Sequence, residues 1–151
     1  MIDGIDRSIL RLLKDDGRMT ATALASKVGL TVAPCHRRLR DLEQSGVIRG
    51  YRADIDPAAV GLGFEAIVFV TLRQADRATM SAFEAQVAAS INIVEAQRLF
   101  GSPDYLLKVI AADLPAYQRF YDDVLAALPA VERLTSTLVM KNLKTNVGPP
   151  V

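Results

Sequence analysis

The sequence predicts an α+β chain in two parts: three short helices closed by a strand, then a unit of order β-α-β-β-α-β. Three observations predict it. Up to Leu42, apolar residues recur at helical spacing. From Phe64 onward, β-branched and aromatic runs alternate with two further helical patterns. Between them, residues 56–63 (DPAAVGLG) hold one proline and two glycines, a composition that reads as a linker. The expected division is residues 1–54 as one domain, 55–63 as linker, 64–144 as the second domain and 145–151 as a flexible tail.

The first helix covers residues 5–13, with Ile5, Ile9, Leu12 and Leu13 on one face. The second covers residues 20–28, with Ala21, Leu24, Ala25 and Val28 on its stripe and Thr20 as cap. Gly29 can take the left-handed conformation that ends a helix. Thr31 then caps a third helix, and Pro34 falls in its first turn, where a missing N–H costs little. Cys35, Leu39 and Leu42 form its apolar stripe, so Cys35 reads as a small buried hydrophobe. His36, Arg37 and Arg40 lie off the stripe, and Arg38 sits at its edge. After Gly46, residues 47–55 (VIRGYRADI) read as a strand that offers Arg49, Tyr51 and Arg52 to a phosphate backbone.

Helix, turn, basic helix and strand in this order make a winged helix-turn-helix. A helix that is apolar on one side and arginine-rich on the other can enter a major groove and reach base edges and phosphates. The expected double-stranded DNA contacts are Thr20, Thr31, Ala33, His36, Arg37, Arg38, Arg40, Arg49 and Arg52. Arg38, Arg49 and Arg52 read equally well as partners of Asp41, Glu43 or Asp54.

Charge agrees in sign. The chain carries a net +1. Residues 1–54 hold ten Lys or Arg against seven Asp or Glu, and the excess concentrates in residues 36–52. Near-neutrality excludes a charge-driven nucleic-acid coat and favours one basic face per subunit. The single cysteine excludes an internal disulfide, and the single histidine leaves little for a metal site. No cofactor and no metal are expected. No apolar run approaches the ~20 residues of a membrane span, and no signal peptide is apparent, so a cytoplasmic protein is expected.

In the second part, residues 64–72 (FEAIVFVTL) form the first strand and residues 79–89 a helix bearing Met80, Phe83 and Val87. Residues 91–100 and 104–112 are strands joined through Gly101, Ser102 and Pro103. Residues 114–128 form a helix with Tyr117, Phe120, Tyr121, Val124 and Leu128 inward, and residues 131–143 a last long strand. This is the split βαβ order of ferredoxin-like folds. Both helices cover one sheet face, yet the first strand is apolar on both. Ile67 and Phe69 therefore predict a homodimer.

Several of these runs together resemble the Lrp/AsnC (feast/famine) family of prokaryotic transcriptional regulators, over nearly the whole chain. The residues that carry the resemblance are Asp6 to Leu13 in the first helix and Arg38 to Ile48 at the end of the basic one. Gly50, Tyr51, Asp56 and Pro57 follow, and then the run from Gly101 to Lys108. The resemblance implies a DNA-binding regulator whose second domain dimerises, assembles into higher rings and binds an amino acid or similar effector. It places the effector at Gly101, Ser102, Pro103, Asp104, Tyr105, Leu134 and Ser136. Asp104 reads equally as a loop cap, and Tyr105 reads first as core. Many relatives hold an acid after the loop glycine, where this chain has Ser102. Many hold a Thr-x-Thr pair where this chain has Leu134 and Ser136. Fewer polar partners tilt the effector toward an apolar or aromatic amino acid.

Two other readings follow from the resemblance: an effector-free architectural protein that wraps DNA, and a tetrapyrrole decarboxylase of related fold. Such decarboxylases rely on histidines in a cleft between domains. His36 is the only one in this chain, so no enzyme is expected.

Overall fold

The computed structural model describes every residue except Asn146. The chain divides into two compact units, Met1–Asp54 with Leu143–Val151, and Ile55–Asn142.

The first unit holds helices α1 (Gly4–Asp15), α2 (Ala21–Val28) and α3 (Val32–Gln44). α1 opens with a capping box. The Asp3 carboxylate accepts from the Asp6 N–H at 2.9 Å, and the Asp6 carboxylate accepts from the Asp3 N–H at 3.0 Å. Thr20 caps α2 as expected, its hydroxyl accepting from the Ala23 N–H at 3.2 Å. Gly29 follows at φ 70°, the left-handed stop that only glycine adopts cheaply. Thr31 has the extended geometry of a cap, but its side chain makes no cap hydrogen bond. Ile9, Leu24, Ala25, Cys35 and Leu42 form the core, with Ile5, Leu39 and Ile48 packed around it.

The expected strand at residues 47–55 does not form; the segment carries no regular secondary structure. No strand among the described residues pairs with this run; the Ile48 N–H instead returns to the Leu42 carbonyl at 3.0 Å, and Gly50 turns the chain at φ 148°. Near the C-terminus, Lys14 Nζ of α1 donates to the Pro149 carbonyl at 3.2 Å.

The second unit begins with a single 3-10 turn, Ala58–Val60, inside the expected linker. Then come β1 (Phe64–Leu72), α4 (Arg77–Ala89), β2 (Ile93–Arg98), β3 (Tyr105–Ala111), α5 (Leu114–Phe120) and β4 (Val131–Leu138). The four strands form one antiparallel sheet in the order β2-β3-β1-β4, the ferredoxin-like arrangement. Ala66, Val68, Val70 and Leu72 of β1 are buried, as are Tyr105, Leu107, Val109 and Ala111 of β3. They meet Phe83 and Val87 of α4, together with Tyr117, Leu125 and Leu128.

Three expected elements have different bounds. The strand at 91–100 is trimmed to β2, because Ile91 and Phe100 lie outside the ladder with β3. The helix at 114–128 breaks after Phe120 into a π-helical turn, Tyr121–Leu125, in which the Ala126 N–H reaches the Tyr121 carbonyl at 2.9 Å. The strand at 131–143 stops at Leu138, just before a last hydrogen bond to β1 from the Val139 N–H to the Glu65 carbonyl at 3.0 Å.

Candidate DNA-binding face and effector loop

α3 presents the basic face. Its core side is fixed by Cys35 and Leu42, and burial pushes the Cys35 thiol pKa up, which suits an inert core residue. One turn away, His36, Arg37 and Arg40 are exposed together with Thr31 and Ala33. The preceding Thr20 is exposed at the start of α2, although its hydroxyl already serves the cap.

Arg38 is held elsewhere. Its Nη1 bonds Asp3 at 2.6 Å and Asp6 at 2.9 Å, across to α1. The expected alternatives Asp41 and Glu43 are not its partners; those on its own helix lie on the solvent side, while Arg38 at the stripe edge points to the neighbouring helix. The Asp6 N–H bond first, then the Arg38 guanidinium, hold the Asp3 carboxyl below its usual value. The hydrogen bonds to Asp6 and Asp3 raise that of Arg38. Arg38 therefore anchors the basic helix to α1, the bridge that was its alternative reading, with Asp3 and Asp6 as partners instead of Asp41, Glu43 or Asp54.

Arg49 and Arg52 are exposed on the irregular segment after α3. Tyr51, expected at the phosphate backbone, donates its hydroxyl to Glu43 at 2.9 Å instead. Desolvation, then Glu43, push its pKa up to about 12, so the donor stays protonated. This link ties the segment to α3 in place of a ladder.

In the second unit the loop expected to hold an effector leaves β2 and enters β3. Gly101 sits at φ 138°, and the Ser102–Pro103 bond is cis. Asp104 staples the loop to β1: its carboxylate accepts from the Leu72 N–H at 2.8 Å, and its own N–H donates to the Val70 carbonyl at 2.9 Å. Leu134 pairs with Val70 on β4, so the loop and Leu134 flank one stretch of β1. Ser136 lies two residues on, and its hydroxyl is hydrogen-bonded to the Tyr117 hydroxyl. Tyr105, named with the effector residues, is only 3 % exposed, and its hydroxyl donates to Glu84 at 2.8 Å. It is a core residue, and burial followed by the Glu84 bond push its pKa up to about 12.

The sequence reading missed the Asp3–Asp6–Arg38 clamp, the Tyr51–Glu43 link and the Tyr105–Glu84 bond. The capping spacing at Asp3 and Asp6 was a usable signal for the first. Among the described residues, no group of three or more His, Cys, Asp or Glu is placed to hold a metal ion, and no helix is long and apolar enough to cross a membrane.

A three-helix unit with an exposed arginine face, joined to a separate ferredoxin-like domain, defines a DNA-binding regulator with its own effector module. Residues 2–49 match the winged helix-turn-helix DNA-binding domain, and residues 65–149 match the Lrp/AsnC ligand binding domain. The chain belongs to the Lrp/AsnC family of transcriptional regulators. It is 39% identical over 143 residues to the leucine-responsive regulatory protein of Rhizobium meliloti (strain 1021), covering 95% of this chain and 92% of that one. It is 33% identical over 151 residues to the DNA-binding transcriptional activator DecR of Escherichia coli (strain K12), covering 100% and 99%. A Neisseria meningitidis transcriptional regulator solved in complex with L-Met superposes with a TM-score of 0.94 at 33% identity, covering 99% of this chain and 97% of that one. These relatives are named as transcriptional regulators, which places this chain among effector-responsive DNA-binding regulators.

Proposed function

We propose that this regulator reads a specific operator with α3. His36, Arg37 and Arg40 address base edges, Arg49 and Arg52 meet phosphates, and Thr20, Thr31 and Ala33 frame the approach. The observation that carries the reading is the exposed basic face of α3, fixed in orientation from behind by Arg38 on Asp3 and Asp6. Phosphate contacts set position and base contacts set preference. Selection of bound DNA from a random pool tests this. Wild type should enrich one motif, and Arg37→Ala should blur it, since a bidentate arginine–guanine contact is worth roughly 1–3 kcal/mol of discrimination. An unchanged motif from a folded Arg37→Ala protein would refute the assignment.

The effector is an apolar or aromatic amino acid held at Gly101, Ser102, Pro103 and Asp104, with Leu134 and Ser136 alongside. The Neisseria relative bound to L-Met supports that class. Gly101→Asp should block it by setting a charged side chain where the backbone approaches the ligand. The protein acts in the cytoplasm as a homodimer that assembles further into rings. It regulates rather than catalyses.

A further inference from the structure

The segment that carries Arg49 and Arg52 has no ladder to hold it, so other contacts set where the two arginines stand. On the α3 side there are two hydrogen bonds. The Ile48 N–H donates to the Leu42 carbonyl at 3.0 Å, and the Tyr51 hydroxyl to Glu43 at 2.9 Å. The Tyr51 ring also lies beside the end of α1, where a Cβ on Gly17 would stand 3.7 Å from its Cδ1. Neither guanidinium is fixed by an ion pair or a hydrogen bond among the described residues. Their position therefore depends on how the backbone of residues 47–52 is held.

The far end of the chain supplies a further hold. Leu143–Val151 belongs to the first unit, although the chain reaches it only after passing through the second. Gly148, Pro149 and Val151 wall the same groove as Lys14 of α1 and as Arg49 and Arg52. Lys14 joins the two sides. Its Nζ donates to the Pro149 carbonyl at 3.2 Å. Its aliphatic stem runs along Gly148, where a Cβ would meet three of its carbons at 3.6, 3.6 and 3.8 Å. The sequence suits this docking. Pro149 and Pro150 restrict two φ angles and bring no N–H groups to satisfy, so the run loses little freedom on seating and keeps its carbonyls for donors.

We propose that residues 148–151 are a strap that positions the phosphate-facing segment. Seated on Lys14, they wall the groove and keep residues 49–52 against α1, so that Arg49 and Arg52 meet the DNA backbone. Lys14 and Pro149 are positioning residues: they act through the two arginines and do not themselves touch DNA. The strap rests on the reading of Arg49 and Arg52 as phosphate contacts.

The salt dependence of binding to a duplex of arbitrary sequence tests it, read beside thermal unfolding. Each phosphate contact adds about 0.9 to the slope of log affinity against log salt. Arg49→Gln combined with Arg52→Gln should lower the slope by about that amount for each arginine. A chain shortened to end at Lys144 should lower it equally with an unchanged thermal midpoint. Adding the arginine pair to the shortened chain should lower it no further. Amide exchange should quicken at residues 47–52 and not in α2. Lys14→Met should lower the slope in the intact chain but not in the shortened one, whereas Lys14→Arg should keep it. A shortened chain with the wild-type slope would overturn the strap and spare the arginine contacts. A Lys14→Met loss that persists in the shortened chain would overturn it too, since Lys14 would then meet DNA directly. If shortening lowers the midpoint, Lys14→Met at full stability decides, and a wild-type slope there sinks the proposal. A wild-type slope from the double arginine variant would remove the strap and the arginine contacts together.

Discussion

Arg38 ties the basic helix to its neighbour. Its guanidinium joins α3 to the capping box of α1 through Asp3 and Asp6. Arg38→Ala should therefore lower the thermal midpoint and weaken operator binding together, whereas Arg37→Ala should weaken binding with the midpoint unchanged. Thermal unfolding beside a binding titration separates the two. The clamp also sets a pH dependence. The Asp3 pKa is lowered in the folded state, so its stabilisation is complete above the unfolded carboxylate pKa of ~3.9 and is lost as pH falls through the lower folded value. Acid unfolding followed by circular dichroism should show a shallower loss below about pH 4 for Arg38→Ala than for wild type. Parallel curves would mean that the clamp does not couple to Asp3 ionisation. The arginines themselves were visible in the sequence; the direction of Arg38 was not. Its partners lie 35 and 32 residues away, and no local spacing rule reaches that far.

At the scale of elements, the two threonine caps give a discriminating pair. Thr20 accepts a hydrogen bond from Ala23, whereas Thr31 accepts none at the head of α3. Thr20→Ala should cost about 1 kcal/mol of stability, in the range of measured cap deletions. Thr31→Ala should leave stability nearly unchanged, so any loss of operator affinity would report on DNA contact. Chemical denaturation of both variants checks this; an equal cost would mean that Thr31 caps in solution. The helices and strands of both units were legible because their apolar spacing is long and regular. Residues 47–55 were not. Their alternation reads as a strand, but a strand is defined by a partner, and sequence pattern alone does not supply one. The last strand also ends earlier than its pattern suggests, at Leu138 opposite Ala66, although β1 itself runs on to Phe64. For the loop, Gly101 and Asp104 were legible as special positions, but the stapling of Asp104 to Leu72 depends on which strand lies next to it.

At the scale of the whole molecule, the sheet carries two apolar faces and only one is covered by α4 and α5. On the other, Ile67 and Phe69 of β1 stand beside Leu106 and Ile110 of β3, all half-buried and outside the core cluster. One lysine sits among them. Lys108 is only 19% exposed and lies 3.2 Å from Glu65 and 3.7 Å from Glu95. A cation already met by two carboxylates can be buried against a partner at far less cost than a lone one. We propose that this face meets a second copy of the chain, and a two-fold dimer would suit two half-sites of a palindrome. Phe69→Asp introduces an anion with no cation assigned to it, and an unpaired charge buried at an interface costs about 3–5 kcal/mol. Analytical ultracentrifugation at micromolar concentration should show wild type as a dimer or larger and Phe69→Asp shifted toward monomer. The variant should retain its fold, because Phe69 points away from the helix-covered core. It should still bind a half-site weakly while losing the preference for paired half-sites. A wild-type monomer under those conditions, or a Phe69→Asp protein that sediments like wild type, would remove this face as the subunit contact and leave its apolar character without a partner.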